Sequence, residues 1–274
     1  MSLPAGFQFS QVSLQDYVDC ARRFQLRYLL LQPWPALITA RAGEAELHMR
    51  RGAALHHLAH QYALGIEPAR LMSTIQDAVL AQWWRTFLDH PPPELPATLR
   101  QAEVVLSAPL SGYRLVAKLD LVSVDVGQRY VIVDWKTQLK RPSAAKLAKR
   151  LQTRVYRYLA VEAGGVYNGG HSPKPSQVEM VYWFAALRGE TRRLAYDAEQ
   201  CEADRRYLSN LISQIAAGHG SEWPLTSDEQ DCSICNYRTL CDRRVRAGSL
   251  IELDDDLTPT EIEIDLEQVG ETEF

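Results

Sequence analysis

No run of about 18 apolar residues, the length that crosses a bilayer, exists in this chain. The nearest approach, Leu26 to Ala40, is interrupted by Arg27, Gln32, Pro33 and Pro35. The opening residues, MSLPAGFQFSQ, lack the basic and apolar regions of a secretory signal. Cysteine is scarce, five in 274 residues, which excludes a disulfide scaffold. In the reducing cytoplasm that these absences predict, the cysteines read as metal or redox groups. Glycine and proline, 15 and 14 residues, are too few for a collagen-like chain, and 46% apolar against 23% charged residues excludes a disordered one. Lys and Arg are missing altogether from Leu250 to Phe274, which carries ten carboxylates. Residues 1–249 therefore hold 30 basic against 24 acidic groups, a mildly basic body compatible with a polyanionic partner.

Along the chain, Ser13 and Asp16 stand at capping-box spacing, and Leu14, Tyr17, Ala21, Phe24 and Tyr28 continue at helical intervals. This predicts a helix over about 13–31, ended by Pro33 and Pro35. Further helices are expected at about 46–64 and from Pro68 to about Leu88, followed by the rigid connector HPPPELP (90–96). The periodicity then changes. Residues 103–110, 113–124 and 129–135 are β-branched runs separated by Ser111-Gly112 and Gly127, a three-strand meander. A helix at about 143–163, two strands in VEMVYWFAAL and RRLAYD, and a helix at about 197–217 complete the order. Helices, three strands, helix, strands, helix imply an α/β fold, a sheet covered by helices.

Two aspartates and a lysine fall on the meander. Asp120 lies in KLDLV, and Asp134 and Lys136 lie in IVDWK. Side chains alternate along a strand, so Asp134 and Lys136 share a face and Trp135 takes the other. Their neighbours Leu119, Leu121, Val131, Ile132 and Val133 mark buried strands, where three charges cost several kcal/mol unless compensated. Mg²⁺ or Mn²⁺, which takes carboxylate oxygens and keeps waters for a phosphate, would compensate them. A buried Asp–Lys ion pair without chemistry is the plainer alternative. Against it, eight basic residues and no acid lie between Trp135 and Val161: Lys136, Lys140, Arg141, Lys146, Lys149, Arg150, Arg154 and Arg157. A run of one sign after an acidic site reads as a phosphate-backbone track, in which Lys149 and Arg150 are candidate substrate contacts. Gln152 and Tyr156, four apart, share one side of that helix.

His56 and His60 share a helix face and could form a zinc pair, but His57 follows His56 where the H-E-x-x-H pattern needs a glutamate. Cys232, Cys235 and Cys241 form C-x2-C-x5-C after the last helix. Metal binding there needs a fourth ligand, with Cys20 and Cys201 as candidates. Four thiolates suit zinc or an iron–sulfur cluster, and spacing does not choose between them.

Taken together these segments resemble the PD-(D/E)XK nuclease superfamily, and within it the RecB-like iron–sulfur branch of the CRISPR-adaptation Cas exonucleases and the AddB nuclease domain. The opening FSQVSLQDYVDCARRFQLRYL is similar to that branch's first helix with its cluster cysteine, Cys20. RGAALH is similar to its G-x-x-x-H motif and selects His56; AKLDLV supplies Asp120; VDWKT supplies Asp134 and Lys136; QTRVY resembles the Q-x-x-x-Y motif of Gln152 and Tyr156; CSICNYRTLC resembles the closing triplet. The resemblance implies a restriction-endonuclease-like core with a central mixed sheet. A [4Fe-4S] cluster on Cys20, Cys232, Cys235 and Cys241 would join the N-terminal helix to the C-terminal loop. It implies Mg²⁺- or Mn²⁺-dependent hydrolysis of DNA, usually at single-stranded ends, with His56, Asp120, Asp134 and the Trp135 carbonyl as metal ligands and Lys136 assisting. Gln152 and Tyr156 would take supporting or substrate-contacting roles. No G-x-x-x-x-G-K-[S/T] loop occurs, so a helicase partner, or one in CRISPR adaptation or repair, would be a separate chain. The expected division is a nuclease domain over 1–249 and an acidic extension over 250–274. The alternative class is a non-catalytic nucleic-acid-binding or complex-assembly subunit of the same fold.

Overall fold

Where the apolar spacing turns from helical to alternating, a six-stranded mixed sheet forms in the computed structural model, which describes residues 3–33, 40–218, 220 and 223–241. Strands β2 (Leu99–Leu110) and β3 (Tyr113–Asp125), with short β1 (Gln8–Phe9), lead to β4 (Arg129–Lys136), β5 (Val178–Phe184) and β6 (Glu190–Ala195). Ser111 and Gly112 both take positive φ, 51° and 81°, in the two-residue turn between β2 and β3, the left-handed geometry such hairpins favour. β2 pairs with one edge of β3 along its length. The other edge is shared by β1, parallel at Arg114–Leu115, and by β4, antiparallel from Asp125 to Leu121. β4 and β5 run parallel and β6 returns antiparallel, so the sheet is mixed.

Helices cover both faces. On one lie α1 (Gln11–Asp19), α7 (Leu151–Ala163) and α8 (Ala198–Ala217), enclosing Tyr130, Ile132, Met180, Tyr182 and Phe184. On the other, α3 (Ala40–Ala63), α4 (Pro68–Thr74) and α5 (Ala78–Asp89) bury Val131, Val133, Trp135, Val181 and Trp183. Strands β4 and β5 therefore feed both cores by strict alternation. This explains why they read as continuous apolar runs.

Several expected elements are divided. The helix expected over 13–31 begins at Gln11, because Ser10 is the cap and Ser13 its reciprocal partner: Ser13 N–H donates to Ser10 Oγ and Ser10 N–H to Ser13 Oγ. It breaks at Cys20, whose backbone is extended, before α2 (Ala21–Phe24) and a π turn at Gln25–Leu29. Asp16 reaches across the break to Arg23 at 2.8 Å and Arg27 at 3.0 Å. The helix expected from Pro68 to Leu88 is interrupted where Asp77 caps α5 through Leu80 N–H. The helix expected at 143–163 splits at Arg150 (ψ 140°) into α6 (Ala144–Lys149) and α7. Cys232 lies not in a loop but on the short helix α9 (Glu229–Ile234). The acidic extension, including the alternating segment at Glu261–Ile264, lies outside the described residues.

Candidate active site

The ladder between β3 and β4 stops at Leu121↔Val133, and β4 runs on beside β5 alone. At this fork the Asp120 carboxylate takes the place of the next ladder acceptor, receiving the Trp135 N–H on Oδ2 at 2.8 Å. The alternation of β3 changes phase at the same point. Leu115, Ala117 and Leu119 face the larger core, then Val122 and Val124 do, and Glu103 on β2 has φ 55°. Such irregularities re-aim side chains beside functional sites. Here Asp120 meets His56 of α3, Oδ1 to Nδ1, at 3.1 Å, while His56 Nε2 lies 2.9 Å from the Trp135 carbonyl.

Asp134 and Lys136 project together on the α7 side, 2.9 Å apart and each 2% exposed. Gln152, in the first turn of α7, bridges them. Lys136 Nζ donates to its carbonyl at 2.9 Å, and its amide donates to Asp134 Oδ1 at 3.0 Å. The Tyr156 hydroxyl accepts from Gln152 at 3.3 Å and from Gln11 of α1 at 3.4 Å, and Tyr182 both hydrogen-bonds Gln152 and lies under Lys136. Tyr156 is buried, which places it behind Gln152 in the supporting position. Gln11 and Tyr182 escaped the sequence reading, because only tertiary contact joins them to this network.

Burial disfavours charge on His56, yet the Asp120 carboxylate beside it carries its pKa above the ordinary imidazole value. For Asp120 burial acts upward, and the His56 imidazole with the Trp135 N–H outweighs it, holding the carboxyl below the usual range. Burial pushes Asp134 up, and Lys136 offsets only part of this. Among the described residues no three His, Cys, Asp or Glu side chains stand grouped as a ready metal site; His56 and Asp120 bond to each other. The donor chemistry nonetheless fits a hard divalent cation: two carboxylates, a carbonyl and an imidazole from α3, β3 and β4 converge on one fork. His57 and His60 of the same helix take no part in these contacts.

The basic run divides by partner. Lys136 is buried in the site. Arg154 and Arg157 turn to Asp204 of α8, at 3.3 and 3.4 Å, and Arg141 pairs with Glu190, so each of these three cations has a carboxylate partner within the chain. Lys146, Lys149 and Arg150 line a cleft of about 240 Å³ whose inner wall includes Gln152.

Cys20, Cys232, Cys235 and Cys241 line a common cavity of about 20 Å³ together with Arg23 and Asp231. Burial pushes the Cys235 thiol up. Cys201, on α8, packs at the edge of the larger core instead. Aromatic and hydrogen-bond contacts also dock residues 223–241 on the N-terminal helices. Trp223 stacks on Phe24 with ring centroids 5.7 Å apart, and Tyr237 donates to the Gln32 carbonyl at 3.1 Å.

A mixed sheet covered on both faces, with an aspartate and a D-x-K pair gathered where two strands part, defines a class of α/β protein whose polar site rides on the sheet itself. A family model for the PD-(D/E)XK nuclease superfamily matches residues 8–242, and the chain belongs to that superfamily. No curated protein matches it. Among solved structures it is similar to SSO0001, at 12% identity and TM-score 0.41 over 87% of each chain. It is also similar to a candidate exonuclease of Eubacterium rectale, at 10% identity and TM-score 0.47 over 93% of this chain and 92% of the other.

Proposed function

We propose that this chain is a Mg²⁺- or Mn²⁺-dependent deoxyribonuclease acting on single-stranded DNA ends, a member of the RecB-like iron–sulfur branch of its superfamily. The observation that carries this reading is the meeting of His56, Asp120, Asp134, the Trp135 carbonyl and Lys136, from three elements, beside a cleft walled by Lys146, Lys149 and Arg150. His56, Asp120, Asp134 and the Trp135 carbonyl would hold the ion, which when bound supplies a nucleophilic water and charge stabilisation at phosphorus. Lys136, fixed by Asp134 and Gln152, presents its ammonium toward the scissile phosphate, where it orients the incoming water and offsets developing negative charge. Gln152 sets the position of both groups, Tyr156 sets Gln152, and Lys149 and Arg150 neutralise backbone phosphates. The four cysteines around the common cavity would bind a [4Fe-4S] cluster as a structural clamp, with zinc as the alternative. The nuclease domain would span 1–249 and act in the cytoplasm with any helicase, CRISPR-adaptation or repair partner on another chain. Among the described residues no helix is long and apolar enough to cross a membrane.

The test is digestion of end-labelled single- and double-stranded DNA with and without Mg²⁺ or Mn²⁺. Removing either partner of a buried ion pair strands the other at a cost of about 3–5 kcal/mol, and alanine would add a cavity to that, so the near-isosteric Asp134→Asn and Lys136→Met are preferred. Both variants are expected to abolish cleavage while keeping the wild-type circular-dichroism spectrum at a lowered melting temperature. Cleavage at wild-type rates by both would reject the site, and DNA binding without metal-stimulated cleavage by the wild type would support the non-catalytic alternative.

A further inference from the structure

The cleft beside Gln152 has a lining residue, Tyr207, that has no part in the proposed hydrolysis. Its charged lining groups are Lys146, Lys149 and Arg150, and among the described residues that line it none is acidic. Tyr207 of α8, 38% exposed, lines the same cleft. Its ring is backed by Arg154, whose guanidinium carbon lies 4.5 Å from the ring centroid. Arg154 itself lines a different cleft, so it contacts the ring without lining the space beside Gln152. The backing is rigid. Arg154 is held by Asp204 at 3.3 Å, and Asp204 also receives Arg157 at 3.4 Å and the Tyr196 hydroxyl at 3.1 Å. A braced tyrosine and three cations lining one cleft match a nucleotide, base to ring and phosphate to cation. The cleft measures about 240 Å³, and a ring that stacks on a base needs that base unpaired and out of its own duplex.

We infer that Tyr207, backed by Arg154, is a stacking platform for an unpaired base of the substrate strand, placed by α8 beside the reacting site. It is thus a specificity-determining residue for single-stranded DNA. The inference rests on the nuclease reading above and adds to it a residue, and a physical basis, for strand preference.

The experiment measures binding of fluorescein-labelled dT12, of the matching duplex, and of dT12 strands carrying one abasic site at successive positions, without added Mg²⁺ or Mn²⁺. Stacking on an aromatic ring predicts that Tyr207→Ala weakens dT12 binding by about tenfold and leaves duplex binding unchanged, whereas Tyr207→Phe and Tyr207→Trp bind as the wild type does. At one abasic position the wild type should lose the same factor, and Tyr207→Ala should lose nothing more. Equal binding of dT12 by wild type and Tyr207→Ala, or a variant loss that persists undiminished at every abasic position, overturns the inference. A wild type that cleaves DNA in Mg²⁺ or Mn²⁺ while Tyr207→Ala binds dT12 as the wild type does rejects the platform alone. A wild type that neither binds nor cleaves any of the strands rejects the nuclease reading with it.

Discussion

Lys136 is an ammonium 2% exposed, and such a group persists only while its partners hold. Asp134 supplies the countercharge and Gln152 a second acceptor, and the same Gln152 amide ties Asp134. Gln152→Ala would leave Lys136 with one oxygen fewer and free both Asp134 and Lys136 to shift. Cleavage is expected to fall by about a hundredfold in kcat with KM little changed, together with about 1–3 kcal/mol of stability. Steady-state kinetics and urea unfolding check the two parts, and a change confined to KM would mean that Gln152 only contacts substrate. The D-x-K pair was legible from alternation alone, since residues two apart on a strand must share a face. The grouping of Gln11, Tyr156 and Tyr182 around Gln152 was not, because α1, α7 and β5 meet only through packing.

Helix boundaries here are set by side chains that find better partners than the helix offers. Asp77 illustrates this by ending the segment after α4 and starting α5, accepting Leu80 N–H at 2.9 Å and an Arg51 fork at 2.7–3.0 Å. The Arg51 hydrogen bonds, with the Leu80 N–H, hold its carboxyl below the usual range. A lowered folded-state pKa contributes stability that is fully present above the ordinary carboxylate value and is lost as pH falls through the lowered one. Asp77→Ala is expected to cost about 1 kcal/mol at neutral pH, and the difference from wild type should shrink in denaturant melts below about pH 4. A gap that widens on acidification would show that the cap is not ionised in the folded protein. Helical spacing predicted each of these segments as a helix and missed their breaks, because a cap two turns into an apolar stripe leaves the stripe intact. The two residues of β1 carry no periodicity at all; they become a strand because β3 has an open edge beyond the end of β4.

Over the whole molecule, the N-terminal helices and the C-terminal segment close on one another across the full length of the chain. Trp223 on Phe24, Tyr237 on the Gln32 carbonyl and Arg22 N–H on the Pro224 carbonyl at 3.1 Å make the closure, and four cysteines share its cavity. Anaerobically purified protein is expected to contain iron and acid-labile sulfide near four of each per chain, the content of a [4Fe-4S] cluster. Cys20→Ser should lower both and the melting temperature together. Zinc in stoichiometric amount without sulfide would replace the cluster with a zinc staple. The same scale explains the fate of the basic run after Trp135. Its eight cations look alike in sequence, yet one is buried with Asp134 and two are taken by Asp204, a residue 47 positions beyond Arg157.

What the sequence determined by itself is whatever depends on spacing over a few residues: the order of helices and strands, the shared face of Asp134 and Lys136, the buried character of β4 and β5, and the cysteine triplet. What the tertiary structure decided is which distant groups meet. His56 reaches Asp120 and the Trp135 carbonyl, Gln152 closes over Lys136, and Cys20 joins the triplet's cavity. Tyr207 shares a cleft with three cations without any spacing having announced it. Periodicity fixes direction along a single element, whereas these encounters depend on how elements cross, and that is set by two cores packing at once on opposite faces of one sheet.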